Sequence, residues 1–345
     1  MSAPPANLPL HPRRGIHDPT AGSPARRPGS VRRTITIDAL RPDGAGGSLR
    51  LVGRGRDLVT GADAAAEVAA EASVRFEIAP AGPREVLGVE SEPAVPALRP
   101  LVGTSTVTGF RRRLVELAPD LGAAHPLLES LLDDVPVSSL VSGYALGRMG
   151  AAQPNGRFML ALADQCAGWA RGATIVEAIE RDGLPPTVTG PTAPSVHNPE
   201  DPLGWHEAPP LPPHGMRRLR RLDVLPGPTR GTCDLDVLFR DSYQSDGGPE
   251  TVIHEYTVAA RLDLATMTFT EIASVPRVLP WVECPLAAAS AARLTGVAVA
   301  DVRDVVRESL RGTSTCTHLN DTLRSLAGVP GLVAVMPGPT SARLA

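Results

Sequence analysis

The sequence predicts an α+β protein of two similar units, each an antiparallel sheet of about four strands followed by two or three helices. Three observations carry this reading. Strand-like alternation gives way to helical spacing twice along the chain, the landmarks of residues 31–137 recur in order over residues 216–330, and a proline-rich stretch precedes each unit.

In chain order, residues 1–30 are rich in proline, arginine, glycine and serine and are expected as a disordered tail. The first unit, 31–137, opens with Arg32-Arg33-Thr-Ile-Thr-Ile-Asp38 and a Gly/Pro turn. A strand ending at Arg56-Asp57, a longer one through Glu71 to Ile78 and another from Glu85 to Glu90 follow. After Pro100 the spacing turns helical at Phe110, and a short helix from His125 to Pro136 closes the unit. Residues 138–183 read as a helical connecting segment, with the run from Arg157 to Gly172 as a buried helix packed across both units. Ten prolines mark 184–215 as a linker or wrapping arm, because proline removes backbone donors and pushes its predecessor out of helical geometry.

The second unit, 216–330, repeats the order: Arg217-Arg218 to Asp223, a strand ending at Arg240-Asp241, a long strand through Glu255 to Leu262, another from Thr268 to Ser274, then Pro280. Val302, Val305, Val306 and Leu310 fall at helical spacing, and a last helix runs from His318 to Pro330. Residues 331–345 are expected as a C-terminal tail.

Composition excludes several functions. All 34 basic residues are arginine, so Schiff-base lysine chemistry and the lysine of a phosphate-binding P-loop are ruled out. A net charge of -3 argues against a nucleic-acid binder, which needs a basic face to displace counterions. Without a run near 18 apolar residues, neither a membrane span nor a membrane partner is expected. The N-terminus lacks the apolar core of a secretion signal, and the four scattered cysteines fit a reducing compartment, so a cytoplasmic location is expected.

The reactive side chains are unevenly shared. Aligning the units places His254 against Ala70, Cys284 against Thr104 and Cys316 near Ala123. In Gly312-Thr-Ser-Thr-Cys316-Thr-His318-Leu-Asn-Asp321, Ser314 or Thr315 is a natural helix N-cap. Cys316 and His318 then fall in the first turn, where free amides lower a thiol pKa. Pro285 suits a first helical position and sets Cys284 at another helix start. Cys316, His318, Cys284 and His254 are therefore the candidate catalytic residues, and the same four are the candidate ligands for zinc or iron. His125 is the corresponding histidine of the first unit. Cys166 and Cys233 read as packing residues, Arg56-Asp57 and Arg240-Asp241 as structural, in an ion pair or strand-end hydrogen bonds, and His11, His17, His197, His206 and His214 as exposed.

The Cys-Thr-His-Leu motif, downstream of Glu283-Cys284-Pro285 and of an Arg-Arg opening, resembles the bacterial domain-of-unknown-function family 2889, whose end motif is similar to Gly-Cys-Thr-His-Leu before a leucine-rich helix. Thr315 stands where that motif has glycine. The resemblance extends more loosely to residues 31–146, as a tandem of two diverged copies, and implies no particular activity. The first functional reading is a thiol- or metal-dependent enzyme acting on a small molecule from the second unit. The other is a non-catalytic accessory or scaffold protein whose cysteines are core residues. Substrate, reaction and oligomeric state are not legible.

Overall fold

The computed structural model describes residues 7–9, 15–151 and 156–337. Its strands are β1 (Asn7–Pro9), β2 (Ser30–Leu40), β3 (Leu49–Thr60), β4 (Ala66–Ile78), β5 (Val86–Glu92), β6 (Thr187–Thr189), β7 (Met216–Pro226), β8 (Thr232–Gln244), β9 (Glu250–Asp263) and β10 (Thr268–Val278). The helices are α1 (Phe110–Leu117), α2 (Leu121–Ala124), α3 (Pro126–Val141), α4 (Gly143–Arg148), α5 (Gly156–Leu160), α6 (Thr174–Asp182), α7 (Val302–Ser309), α8 (Thr317–Ser325) and α9 (Val329–Val335). β1 and β6 form a short parallel ladder. The other eight strands form one antiparallel sheet, ordered β10-β9-β8-β7-β2-β3-β4-β5.

The α+β class therefore stands, but the expectation of a separate sheet in each unit is corrected. β2 and β7, the first strands of two four-stranded meanders, pair antiparallel from Val31 opposite Val224 to Ala39 opposite Met216. Left apart, each would present a row of unpaired backbone groups; pairing satisfies both rows and removes two sheet edges. Ile35 lies opposite Arg220 near the middle of the ladder, with Arg32 opposite Asp223 and Asp38 opposite Arg217. Both of these flanking pairs close as ion-paired forks. Arg32 donates to Asp223 at 2.6 and 2.9 Å, and Arg217 to Asp38 at 2.7 and 2.9 Å.

One sheet face carries the helices. α3 lies on β2, β3 and β4 and brings Leu127 and Leu131 over Gly55 and Gly53, where a Cβ would meet them at 2.9 and 3.2 Å. Glycine at these two strand positions is what lets the helix sit close. α8 and α9 cover the same face of the second meander, with Leu319, Leu323, Val329 and Leu332 buried in its core. The opposite face, at the sheet centre, is covered by residues 15–30 and 184–215, so β2 is buried along almost its whole length. Val196 and Trp205 pack there on Leu219 and Leu238, and Arg240 donates to the Pro194 carbonyl at 2.7 Å.

Several expectations change with this arrangement. The described part of the tail, 15–30, is not disordered. Arg26 forks onto Asp201, the Thr20 amide donates to Glu255 at 2.6 Å, and Ser30 already belongs to β2. Polar groups, not apolar periodicity, fasten this segment. Residues 1–6 and 10–14, His11 among them, lie outside the described residues. α3 continues through Pro136 to Val141, so the boundary at 137 falls inside a helix. Proline forfeits one helical hydrogen bond there, while Val135, Ser138 and Ser139 around it gain burial. The run after Arg157 leaves the helix at Leu160, because Asp164 takes a left-handed φ of 66° and its amide closes a loop on the Trp169 carbonyl. α9 carries the second unit beyond 330 to Val335; residues 338–345 are outside the described residues. His206, expected exposed, is buried with its ring nitrogens 2.8 and 2.9 Å from the Thr34 and Thr36 hydroxyls.

Candidate functional site

Three neighbouring strands and one helix converge beneath the helical layer of the second meander. Asp241 on β8 lies opposite both Arg218 on β7 and His254 on β9, and Phe239 lies opposite Arg220 and Tyr256. Side chains two apart on a strand share a face, so these six residues all project toward α8. A register shift follows Asp241 and seats His254 beside it. From α8, His318 stacks on His254 with ring centroids 3.6 Å apart and planes 19° apart, and it lies over Phe239 at 6.4 Å.

Arg218 forks onto Asp241 with both bonds at 2.9 Å and reaches Asp321 at 2.5 Å. Arg220 forks onto Asp134 of α3 at 2.7 and 2.9 Å and also donates to Asp321 at 2.7 Å. Both guanidinium groups lie 4.9 Å from the Phe239 ring. Arg111 joins Asp321 to Asp133, which Arg324 also engages. Four arginines thus face four aspartates in a network reaching from α3 to α8. Such pairing is what permits charges to stay buried, since each would otherwise carry the full cost of desolvation.

His254 and His318 are held neutral. Burial pushes His318 down to about 3, aided by Arg218 and Arg220. Burial and the neighbouring His318 depress His254 in spite of Asp241. The His254 Nδ1 is 3.8 Å from an Asp241 oxygen and, although buried, has no hydrogen-bond partner among the described residues.

The structure separates the four residues singled out from sequence. It brings His254 and His318 into contact and sets Cys316 Sγ 4.0 Å from His318 Nδ1. Cys284 neighbours Cys316 and, with less influence, Cys166. A Cβ on Gly168, two residues past Cys166, would come within 2.5 Å of the Cys284 sulfur. Among the described residues, the group of three or more potential ligands whose donor atoms all lie within 4.8 Å of one another is Asp241, His254 and His318. Neither Cys284 nor Cys316 is part of it.

The expected helix start is corrected too: Cys316 itself, not Ser314 or Thr315, is the N-cap residue of α8. Burial pushes its thiol up against the opposing pull of the Tyr256 hydroxyl and the Leu319 and His318 amides. Cys284 is pushed up well above its ordinary value, and Cys166 and Cys233 to about 11, chiefly by the same burial. At Cys316 the cost of desolvating the thiolate outweighs the pull of the helix-start amides.

Sequence reasoning missed Asp241, Arg218 and Tyr256. The strand register was the signal that could have found them, since it sets Asp241 opposite His254. The first meander has the same arrangement of strands without the imidazoles: Asp57 lies opposite Ala70, a register shift follows, and Arg33 forks onto Asp57 at 2.7 and 2.6 Å. His125 is there as the N-cap residue of α3.

Fold and site together define an α+β protein with a buried charge network and a two-histidine, one-carboxylate cluster at its edge. A family model described as a protein of unknown function (DUF2889) matches residues 216–330, which contain β7–β10 and all three cluster residues. No curated protein and no solved structure matches the chain.

Proposed function

We propose that this protein is a cytoplasmic enzyme acting on a small molecule at a site in residues 216–330, and that residues 31–137 are a diverged second copy that supports it. The reading rests on the meeting of His254, His318 and Cys316 beside Asp241, where the first meander offers Asp57 and Ala70. The common origin of the halves is supported by the exchanged forks Arg32–Asp223 and Arg217–Asp38 and by the register shifts after Asp57 and Asp241. Two neutral imidazoles beside a carboxylate suit proton transfer or ligation of a metal. A nucleophilic thiolate is disfavoured, since Cys316 is buried and its thiol is pushed up.

The experiment is a metabolite screen. Purified protein is incubated with a cytosolic small-molecule extract, and species consumed or formed are followed by mass spectrometry. Turnover should disappear in His318→Asn and persist in His125→Gln. Turnover that survives His318→Asn would place the chemistry elsewhere. The accessory reading is favoured by one observation, the burial of all four cysteines, and it becomes the conclusion if no metabolite changes.

A further inference from the structure

We infer that Asp241, His254 and His318 bind one divalent transition-metal ion of the zinc or ferrous-iron class. The inference takes the location of the site proposed above and adds its ligands.

The three side chains come from β8, β9 and α8, so packed elements and not a loop hold them. Their donor atoms already lie within 4.8 Å of one another. An ion bound at about 2.0–2.2 Å from each would draw them to roughly 3.4 Å apart, and the His254–His318 stack, with planes 19° apart, would have to open by ring rotation so that both in-plane lone pairs meet at the ion. The His254 Nδ1 is buried without a hydrogen-bond partner among the described residues, 3.8 Å from the Asp241 carboxylate. An unpaired buried nitrogen is costly, and an ion between it and the carboxylate would remove that cost.

The Arg218 fork does not consume Asp241. Each carboxylate oxygen accepts one guanidinium hydrogen bond and keeps a lone pair, so the fork orients the ligand as an outer-sphere partner does. In the first meander Arg33 orients Asp57 in the same way, with Ala70 in place of the imidazole. The fork therefore belongs to the sheet, and the histidines are what the second meander adds. Two imidazoles and one carboxylate favour zinc or ferrous iron over magnesium or calcium, which take all-oxygen sets. Three ligands also leave coordination positions open for water or an anionic group. Sulfur lies outside this set: Cys316 Sγ is 4.0 Å from His318 Nδ1, and Cys284 neighbours Cys316 and Gly168.

The test uses full-length protein freed of any affinity tag, stripped with a chelator and titrated separately with Zn2+ and Co2+. One ion per chain should bind, and the cobalt complex should show visible d–d bands without a thiolate charge-transfer band. Asp241→Asn and His254→Gln should each weaken binding by more than roughly a hundredfold, beyond what losing an outer-sphere partner costs. Cys284→Ala and His125→Gln should leave it unchanged. Urea midpoints of the metal-free variants show whether each is folded; half-buried His254 keeps the test usable if Asp241→Asn unfolds. Lack of a stoichiometric ion, undiminished binding in His254→Gln, or a strong thiolate band would each overturn the assignment. Ion binding without metabolite turnover keeps this inference and removes the enzyme reading, whereas turnover by a protein that binds no stoichiometric ion does the reverse.

Discussion

Gly168 shows how tightly single residues are bound into the region below the candidate site. Its Cα approaches the Cys284 sulfur so closely that an added Cβ would stand 2.5 Å away, in a wall where neither neighbour is exposed. Gly168→Ala should therefore destabilise the fold by about 1–3 kcal/mol, the range of overpacked cores. In a denaturant double-mutant cycle, Cys284→Ala should recover part of that loss; full additivity would show that the two do not meet. Histidines supply a second residue-scale prediction. His206 is pushed down to about 4 and His318 to about 3, both first by burial, against an ordinary value near 6.5. Because the folded values are the lower ones, the unfolded chain takes up protons that the folded chain refuses. Their contribution is complete above about pH 6.5 and drains away as pH falls toward the folded values. At pH 5 each should cost about 2 kcal/mol relative to neutral pH. Urea midpoints should fall steeply from pH 6.5 to 5, less so in His206→Gln; a flat profile would mean that both rings titrate freely.

Among elements, the β2–β7 ladder decides the architecture, and buried forks reinforce it. Asp223 accepts from both Arg32 and Arg221, so Asp223→Ala would break two buried ion pairs on the covered outer face, leaving Arg221 with Asp236 and Arg32 with the Pro24 and Gly204 carbonyls. Removing one partner of a buried ion pair costs about 3–5 kcal/mol when the other charge is left uncompensated; with these acceptors remaining, guanidinium titration of the variant should show a loss near the lower end of that range. Asp38→Ala strands Arg217, which is more exposed and also donates to the Pro209 carbonyl, so its loss should be smaller. Equal losses would argue that the two forks are interchangeable. α3 is the second decisive element. Running through Pro136 to Val141, it brings Asp134 beneath Arg220 and carries the charge network from one meander to the other.

At the scale of the whole molecule, one sheet and one network join residues that are far apart in the chain. Arg111 and Asp321, 210 positions apart, meet at 3.0 Å, and Arg324 meets Asp133 at 3.0 Å. The two meanders should therefore unfold together. Trp169 and Trp281 pack in or against the core of the second meander and Trp205 packs on its outer face against Leu219 and Leu238, so tryptophan fluorescence reports that half, while far-UV circular dichroism reports both. Coincident transitions by the two probes are the expected result. A fluorescence transition separated from the dichroism transition would show that each half folds alone and that the β2–β7 ladder adds little coupling.

The strands and the α+β class were legible in the sequence because alternation and helical spacing are local, written in neighbouring residues. The uneven sharing of His254, Cys316 and His318 between the halves was equally legible, as a property of composition. What joins to what was not. That β2 pairs with β7 depends on residues about 185 positions apart, at Ile35 and Arg220, and no local pattern records such a pairing. Asp241 read as one half of a repeated Arg-Asp dipeptide, yet its neighbours are His254 across the strand and Arg218 on the other side, with Arg240 turned to the opposite face toward Glu255. Cys316 read as a helix-start thiol open to activation, but burial beneath α8 reverses the shift that the helix amides favour. Sequence by itself determined which side chains exist and which local elements carry them. Tertiary structure alone decided which of them share a face, because register, burial and desolvation are set by partners far away in the chain.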